Sequence, residues 1–215
     1  MLAGADNHKC FYLYGAVRSR IPCFEEHALR IALGSINRIA NEQKKAIVPL
    51  LSVQKNFYLR IFVRVSNSKS DCWSSIQKTG MIYYCTQCHN SHVERLGHYD
   101  EKKKTFVPNR LSLPDVRCDM CGGQWIMNGP LWLDPINNID FVKDLVSNFD
   151  AVKAQDTNSK SWDALKQLKI TKFDDINGVL RGALQEQPVQ SIPVTWDFTD
   201  LFGAVKVGAP KNTAL

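Results

Sequence analysis

Between residues 24 and 43, apolar side chains recur at helical spacing. Phe24, Ala28, Ala32, Ile36 and Ile39 form one stripe, with Leu29 and Leu33 beside it. Pro22 stands just ahead of the start, where its missing N–H costs nothing. The pattern predicts an amphipathic helix with one face on a core. Over residues 56–65 the pattern switches to alternation, which predicts a strand. Phe57, Leu59, Ile61, Val63 and Val65 share one face; Tyr58, Arg60, Phe62 and Arg64 share the other. That second face is both aromatic and basic. It suits RNA, by stacking and charge, and it equally suits a covering helix with the arginines at the rim. The covered strand is the expectation.

Residues 66–76 are polar and read as a loop. Met81 to Tyr84 reads as a short strand running into Cys85, and residues 97–117 as a polar excursion whose Lys102, Lys103 and Lys104 form a solvated tip. Gly122, Gly123, Gly129, Pro130 and Pro135 then impose turns. Ile139 to Phe149 is expected to be helical, with Phe141, Val142, Leu145 and Val146 inward. A polar linker over 151–161 leads to expected helices at Trp162–Leu168 and Phe173–Leu184. A short strand at Ile192–Trp196 and a helical turn near Leu201 complete the pattern.

The chain has 215 residues, 44% hydrophobic and 22% charged, which is ordinary for a folded protein of one large or two small domains. The net charge of +6 is unevenly spread: residues 1–75 hold 11 Lys/Arg and 5 Asp/Glu, while residues 126–215 hold 9 and 11. A one-sided basic excess attracts nucleic acid, but many solvated surfaces are mildly basic too. No stretch approaches the roughly 18 apolar residues of a membrane span, and the first residues lack the basic start and apolar run of a signal peptide. No membrane partner is expected.

Seven cysteines, an odd number, fit a complete disulfide framework poorly. Four of them form two CxxC pairs, Cys85-Thr-Gln-Cys88 and Cys118-Asp-Met-Cys121, separated by 29 residues. Each pair sits on a tight turn that can aim both sulfurs at one point. Two such turns supply the tetrahedral thiolates that Zn²⁺ accepts. Four thiolates leave no open position, so the zinc is expected to be structural. Bound thiolates would also subtract charge from the formal sum. An iron–sulfur cluster takes four cysteines as well, but separated knuckles suit zinc better, and a redox dithiol needs only one pair. His89 and His92 lie close by and are not needed as ligands. Cys10, Cys23 and Cys72 read as ordinary thiols, and His27 as a satisfied helix histidine. No Walker loop, no G-x-G-x-x-G and no nucleophile elbow is present. Residue chemistry alone therefore leads to a zinc-containing domain with a basic N-terminal segment.

Three segments together resemble one family. They are Cys10-Phe-Tyr-Leu-Tyr-Gly-Ala-Val-Arg18 with Cys23-Phe-Glu-Glu-His-Ala-Leu-Arg30; Ile47-Val-Pro-Leu-Leu-Ser52 with residues 56–65; and the knuckles with Gly129-Pro-Leu-Trp-Leu-Asp-Pro-Ile136 and Asp140-Phe-Val142. In this order they resemble the tRNA guanine-26 N2-dimethyltransferases. The resemblance implies an α/β chain over 1–80, the C-terminal part of a Rossmann-like methyltransferase sheet. A four-cysteine zinc segment over 81–130 would follow, and then an incomplete, family-specific α+β C-terminal domain over 131–215. It implies S-adenosylmethionine-dependent dimethylation of guanine 26, tRNA as partner with no DNA expected, and an intracellular location in nucleus or mitochondrion. The family's cofactor strands and Asp-Pro-aromatic motif belong upstream of Leu2, so the chain is expected to be a fragment without the cofactor-binding half. No catalytic or cofactor residue carries over; the four cysteines do. A non-catalytic, zinc-containing tRNA-binding protein is the alternative.

Overall fold

The structure, a computed structural model, describes residues 6–55, 58–110 and 115–154. It divides into two compact units, and the first includes residues 1–138. Helix α1 (Asn7–Tyr14) ends at Gly15, whose φ of 69° is the left-handed stop that glycine tolerates. Helix α2 (Phe24–Glu42) follows, and its bounds match the periodicity closely. Strands β1 (Ala46–Lys55) and β2 (Tyr58–Ser66) form an antiparallel two-stranded sheet. Phe57, which the alternation assigned to β2, lies outside the described residues.

The stretch 66–76, read as a loop, instead contains helix α3 (Lys69–Trp73) and the first half of a second turn, α4 (Ser75–Lys78). The signal was Ser68, whose hydroxyl accepts from the Asp71 N–H at 3.3 Å and so caps the first turn. Strand β3 (Thr79–Cys85) is the centre of a three-stranded antiparallel sheet, between β4 (Ser91–Arg95) and β7 (Trp125–Trp132). The polar excursion after it carries a hairpin of β5 (Gly97–Asp100) and β6 (Thr105–Pro108). Lys102, Lys103 and Lys104 are exposed at its turn, where the Asp100 carboxylate accepts from two of their backbone N–H groups. Gly129 and Pro130 do not end an element. Strand β7 runs through them with Gly129 at φ 120° and a shifted register against β3, while Val17 and Gly129 exchange two backbone hydrogen bonds of 2.8 Å.

Helix α2 lies against both sheets, which explains its fully buried middle. Leu29 and Leu33 join Ile47, Trp132 and Ile136 in one cluster, with Leu59, Ile61 and Val63 of β2 packed on it. Ile31 joins Cys10, Ala16, Ile82, Leu131 and Leu133 in another. Consecutive residues of β7, Leu131 and Trp132, thus feed separate clusters, as strand alternation requires. Gly34 lies at this contact: a Cβ there would sit 3.4 Å from the Leu131 Cα and the Trp132 nitrogen, in ordinary van der Waals contact.

A polar clamp accompanies this packing. Arg30 is only 2% exposed. Its Nε donates to Glu26 Oε1 at 2.7 Å, and its Nη1 donates to the carbonyls of Trp132 and Asp134 at 3.2 and 2.9 Å. On the far side of β1, the bulged Leu50 carbonyl accepts from Asn138 N, and Ser52 bonds Ile136 and Asn137.

One face of β2 departs from expectation. Tyr58, Arg60, Phe62 and Arg64 are all exposed, Tyr58 by 75%. Helix α2 covers the opposite face, and no described residue forms a second layer over this one. The described residues 139–154 belong to the second unit. Its helix α5 (Ile139–Ala154) begins where expected and buries Val142 and Val146, with Phe141 and Leu145 half-buried. It continues through 151–154, where a linker was expected. The helices, strand and turn expected beyond residue 161 lie outside the described residues.

His27 is buried on the first turns of α2, but neither ring nitrogen has a hydrogen-bond partner, so it is not the satisfied histidine expected. Burial, with Arg18 and Arg30 nearby, pushes its pKa down to about 3. The native ring therefore stays neutral while the unfolded chain protonates near pH 6.5. Stability from this group is complete above that pH and declines as pH falls toward 3. In urea unfolding across pH 6 to 4, the parent should lose stability faster than His27→Leu by about 1.4 kcal/mol per pH unit; parallel curves would refute the neutral ring. Arg30→Ala should cost about 3 kcal/mol by leaving the Trp132 and Asp134 carbonyls without their donor, read as a lowered urea midpoint at pH 7.

Candidate metal centre

The two CxxC pairs reach one point because of strand pairing. Strand β3 delivers Cys85 at its end, opposite Trp125 at the start of β7, four residues after Cys121. Backbone bonds then shape each turn. Cys85 N donates to Asn90 O, Cys118 N to Gly123 O and Gly122 N to Cys118 O, all between 2.7 and 2.8 Å. The turns are stitched to each other by Thr86 N and Oγ1, which both donate to Gln124 O.

The four sulfurs all lie within 4.8 Å of one another. Cys85 Sγ is 3.4 Å from Cys121 Sγ, and Cys88 Sγ is 3.6 Å from Cys118 Sγ. These separations are far longer than a disulfide bond of about 2.05 Å. They approach the roughly 3.8 Å between sulfurs of a tetrahedral site with metal–sulfur bonds of about 2.3 Å. The donor set and spacing therefore fit a tetrahedral thiolate-bound metal. Burial opposes a thiolate at Cys85, but the N–H groups of Cys88 and Gln87, with the thiols of Cys121 and Cys88, donate to its sulfur and bring its pKa down to about 6. Burial and the same sulfur cluster push Cys88 up to about 12, so that without a metal one thiolate is shared. Ligand thiolates need this kind of support.

The glycines after the second pair divide two tasks. Gly122 takes the left-handed turn, with φ 73°. Gly123 supplies clearance, since a Cβ there would lie 2.9 Å from Cys85 Sγ and 3.2 Å from Cys121 Sγ. Sequence reasoning named the first task and missed the second, because a close approach across 38 residues has no local signal. The nearby histidines stand apart. His89 stacks on Tyr84 with ring centroids 5.5 Å apart, and His92 Nε2 lies 3.1 Å from Glu94 Oε2. Neither joins the sulfur cluster. The other thiols are also separate: Cys10 is in the core, while burial raises Cys23 to about 11.

The family model for N2,N2-dimethylguanosine tRNA methyltransferase matches residues 1–214. The chain belongs to this family. It is 38% identical over 154 residues to the tRNA (guanine(26)-N(2))-dimethyltransferase of Drosophila melanogaster, covering 68% of this chain and 27% of that protein. It is 30% identical over 214 residues to the Mus musculus protein of the same description, covering 98% of this chain and 30% of the relative. A relative in Saccharomyces cerevisiae, described as mitochondrial, is 30% identical over 146 residues, 64% of this chain and 26% of that one. The chain thus spans between about a quarter and a third of these relatives. The solved structure of Trm1 from Pyrococcus horikoshii, a complex with S-adenosyl-L-methionine, superposes with a TM-score of 0.63 at 22% identity, covering 93% of this chain and 43% of that one. The fold is thereby shared.

Cys118→Ser and Gly123→Ala test the centre from two sides. The first removes a ligand sulfur; the second leaves all four but crowds them. Both should lower the metal retained per chain, measured by elemental analysis after dialysis against a weak chelator, with Cys118→Ser losing more. Full retention in Cys118→Ser would mean that this sulfur is not a ligand.

Proposed function

We propose that this chain is the zinc-holding part of an S-adenosylmethionine-dependent tRNA guanine-26 N2-methyltransferase. The family match over residues 1–214 carries the proposal. The metal is zinc, held by Cys85, Cys88, Cys118 and Cys121. The all-thiolate set and the separate knuckles support zinc over an iron–sulfur cluster. With four protein ligands it is structural, and its task is to fix the pairing of β3 with β7, whose other end carries α2. When bound, S-adenosylmethionine supplies the methyl group. No residue of this chain is assigned to it. The acceptor is a weak nucleophile, an exocyclic amine whose lone pair is delocalised into the guanine ring. The reaction therefore demands that the base be swung out of its stack and held rigidly in register. Residues 1–138 contribute scaffold to that positioning. Nucleus or mitochondrion is the proposed location, supported by the yeast relative's description. No helix among the described residues is long and apolar enough to cross a membrane.

A second reading, tRNA binding without catalysis, draws support from the exposed Tyr58, Arg60, Phe62 and Arg64, an aromatic and basic strand face.

Methyl transfer from labelled S-adenosylmethionine to unmodified tRNA separates the readings, with zinc measured in the same sample. The zinc-loaded 215-residue chain alone should transfer nothing, and should gain activity when supplied with the upstream part of a relative such as the Drosophila protein. Transfer by the chain alone would place a cofactor site within it. Salt-dependent tRNA binding with no activity under either condition would favour the second reading. Iron and sulfide in place of zinc would overturn the metal assignment.

A further inference from the structure

The segment between α1 and α2 presents a buried cation with no counterion. Arg18 is 4% exposed, its Nη1 has no hydrogen-bond partner, and it forms no ion pair among the described residues. It cannot easily swing out. On one side Val17 exchanges two backbone bonds with Gly129; on the other Ser19 donates its N–H and its hydroxyl to Asn128 Oδ1. The N–H of Arg18 itself donates to Asn7 Oδ1 at 3.2 Å. Close to the guanidinium lies His27, 3% exposed and also without a partner at either ring nitrogen.

Among the described residues no acidic group pairs with Arg18. Glu26 is bound to Arg30. Glu25, half-buried in the first turn of α2, has its carboxyl raised by burial and forms no ion pair with Arg18. The Cys10 thiol is likewise raised by burial, with Arg18 pulling the other way. Arg20, two residues on and exposed, adds a further cation. The start of α2 contributes in the same sense: its N-cap residue Cys23 gives no side-chain cap, so first-turn N–H groups stay available and the dipole favours negative charge. An unpaired guanidinium out of water is costly unless an anion accompanies it.

We propose that Arg18 and His27, at the start of α2, form a binding site for a phosphate oxyanion. Arg18 supplies charge and a planar fork of donors, and neutral His27 supplies one further N–H from a second direction, which matches a tetrahedral group with several acceptor oxygens. The source of the phosphate is either the free ion or an RNA backbone. Only the second source rests on the tRNA reading above.

The test compares the zinc-loaded 215-residue chain with Arg18→Met in chloride and in inorganic phosphate of equal ionic strength. The parent should gain about 3 °C or more in Tm, saturating with phosphate. Arg18→Met should be at least as stable as the parent in chloride, because the uncompensated charge is gone, and should not respond to phosphate. A phosphate titration of the parent, followed by NMR of the Arg18 Nε–H and the His27 ring, decides the matter even if the variant folds poorly. Saturable shifts of both support the site; unmoved signals with no rise in Tm overturn it. An Arg18→Met chain that is less stable in chloride yet keeps the full phosphate response also overturns it. If the parent binds tRNA and Arg18→Met lowers the salt slope by about one, the RNA backbone is the source. If tRNA affinity is unchanged while the phosphate response is lost, the free ion is the source. Absence of tRNA binding by the parent defeats the tRNA reading and leaves the phosphate arm to decide this one.

Discussion

The pairing of β3 with β7 is the contact on which the described structure depends. It brings together residues nearly fifty positions apart and closes the long excursion between the two cysteine pairs. At one end of the pair the knuckles meet. At the other, Leu131 and Trp132 form the surface on which α2 lies, with Arg30 fastened to the carbonyls of Trp132 and Asp134. Loop closure of this length is entropically unfavourable and is not offset by a few strand hydrogen bonds alone. A four-sulfur cluster at the open end and a dense apolar contact at the other are the two devices that hold it.

Polar groups in this core are unevenly settled. Arg30 has an acid and two carbonyls, and Asn128 accepts from Ser19 while donating to Ile126 O. Arg18 Nη1 and both ring nitrogens of His27 have no partner among the described residues. Arg30, Arg18 and His27 are all buried, so the difference reflects what each faces rather than how deep it lies.

The legible parts were those with local causes. Helix α2 announced itself through its apolar stripe, and the cysteine cluster through spacing within each turn. What stayed hidden was set across the chain. Strand β7 was obscured by Gly129 and Pro130, which look like a turn until Val17 is seen pairing alongside. The hairpin of β5 and β6 was lost among polar residues because only the Tyr99–Phe106 pair marks it. The alternation in β2 divided its two faces at Leu59, Ile61 and Val63 but failed at Val65, which is exposed, and no pattern within a strand states what covers it; among the described residues nothing covers the Tyr58 face. Gly123 is needed by a sulfur 38 residues earlier, which no window of sequence reveals.

Because β7 leaves the sulfur cluster and continues directly into the floor beneath α2, the zinc proposed for that cluster would transmit its occupancy to the apolar layer. Such coupling would make metal supply a determinant of how much intact polypeptide a cell holds. A chain made during zinc scarcity would display unpaired strands and uncovered leucines to quality-control proteases, so its level would follow the nutrient rather than the rate of synthesis alone.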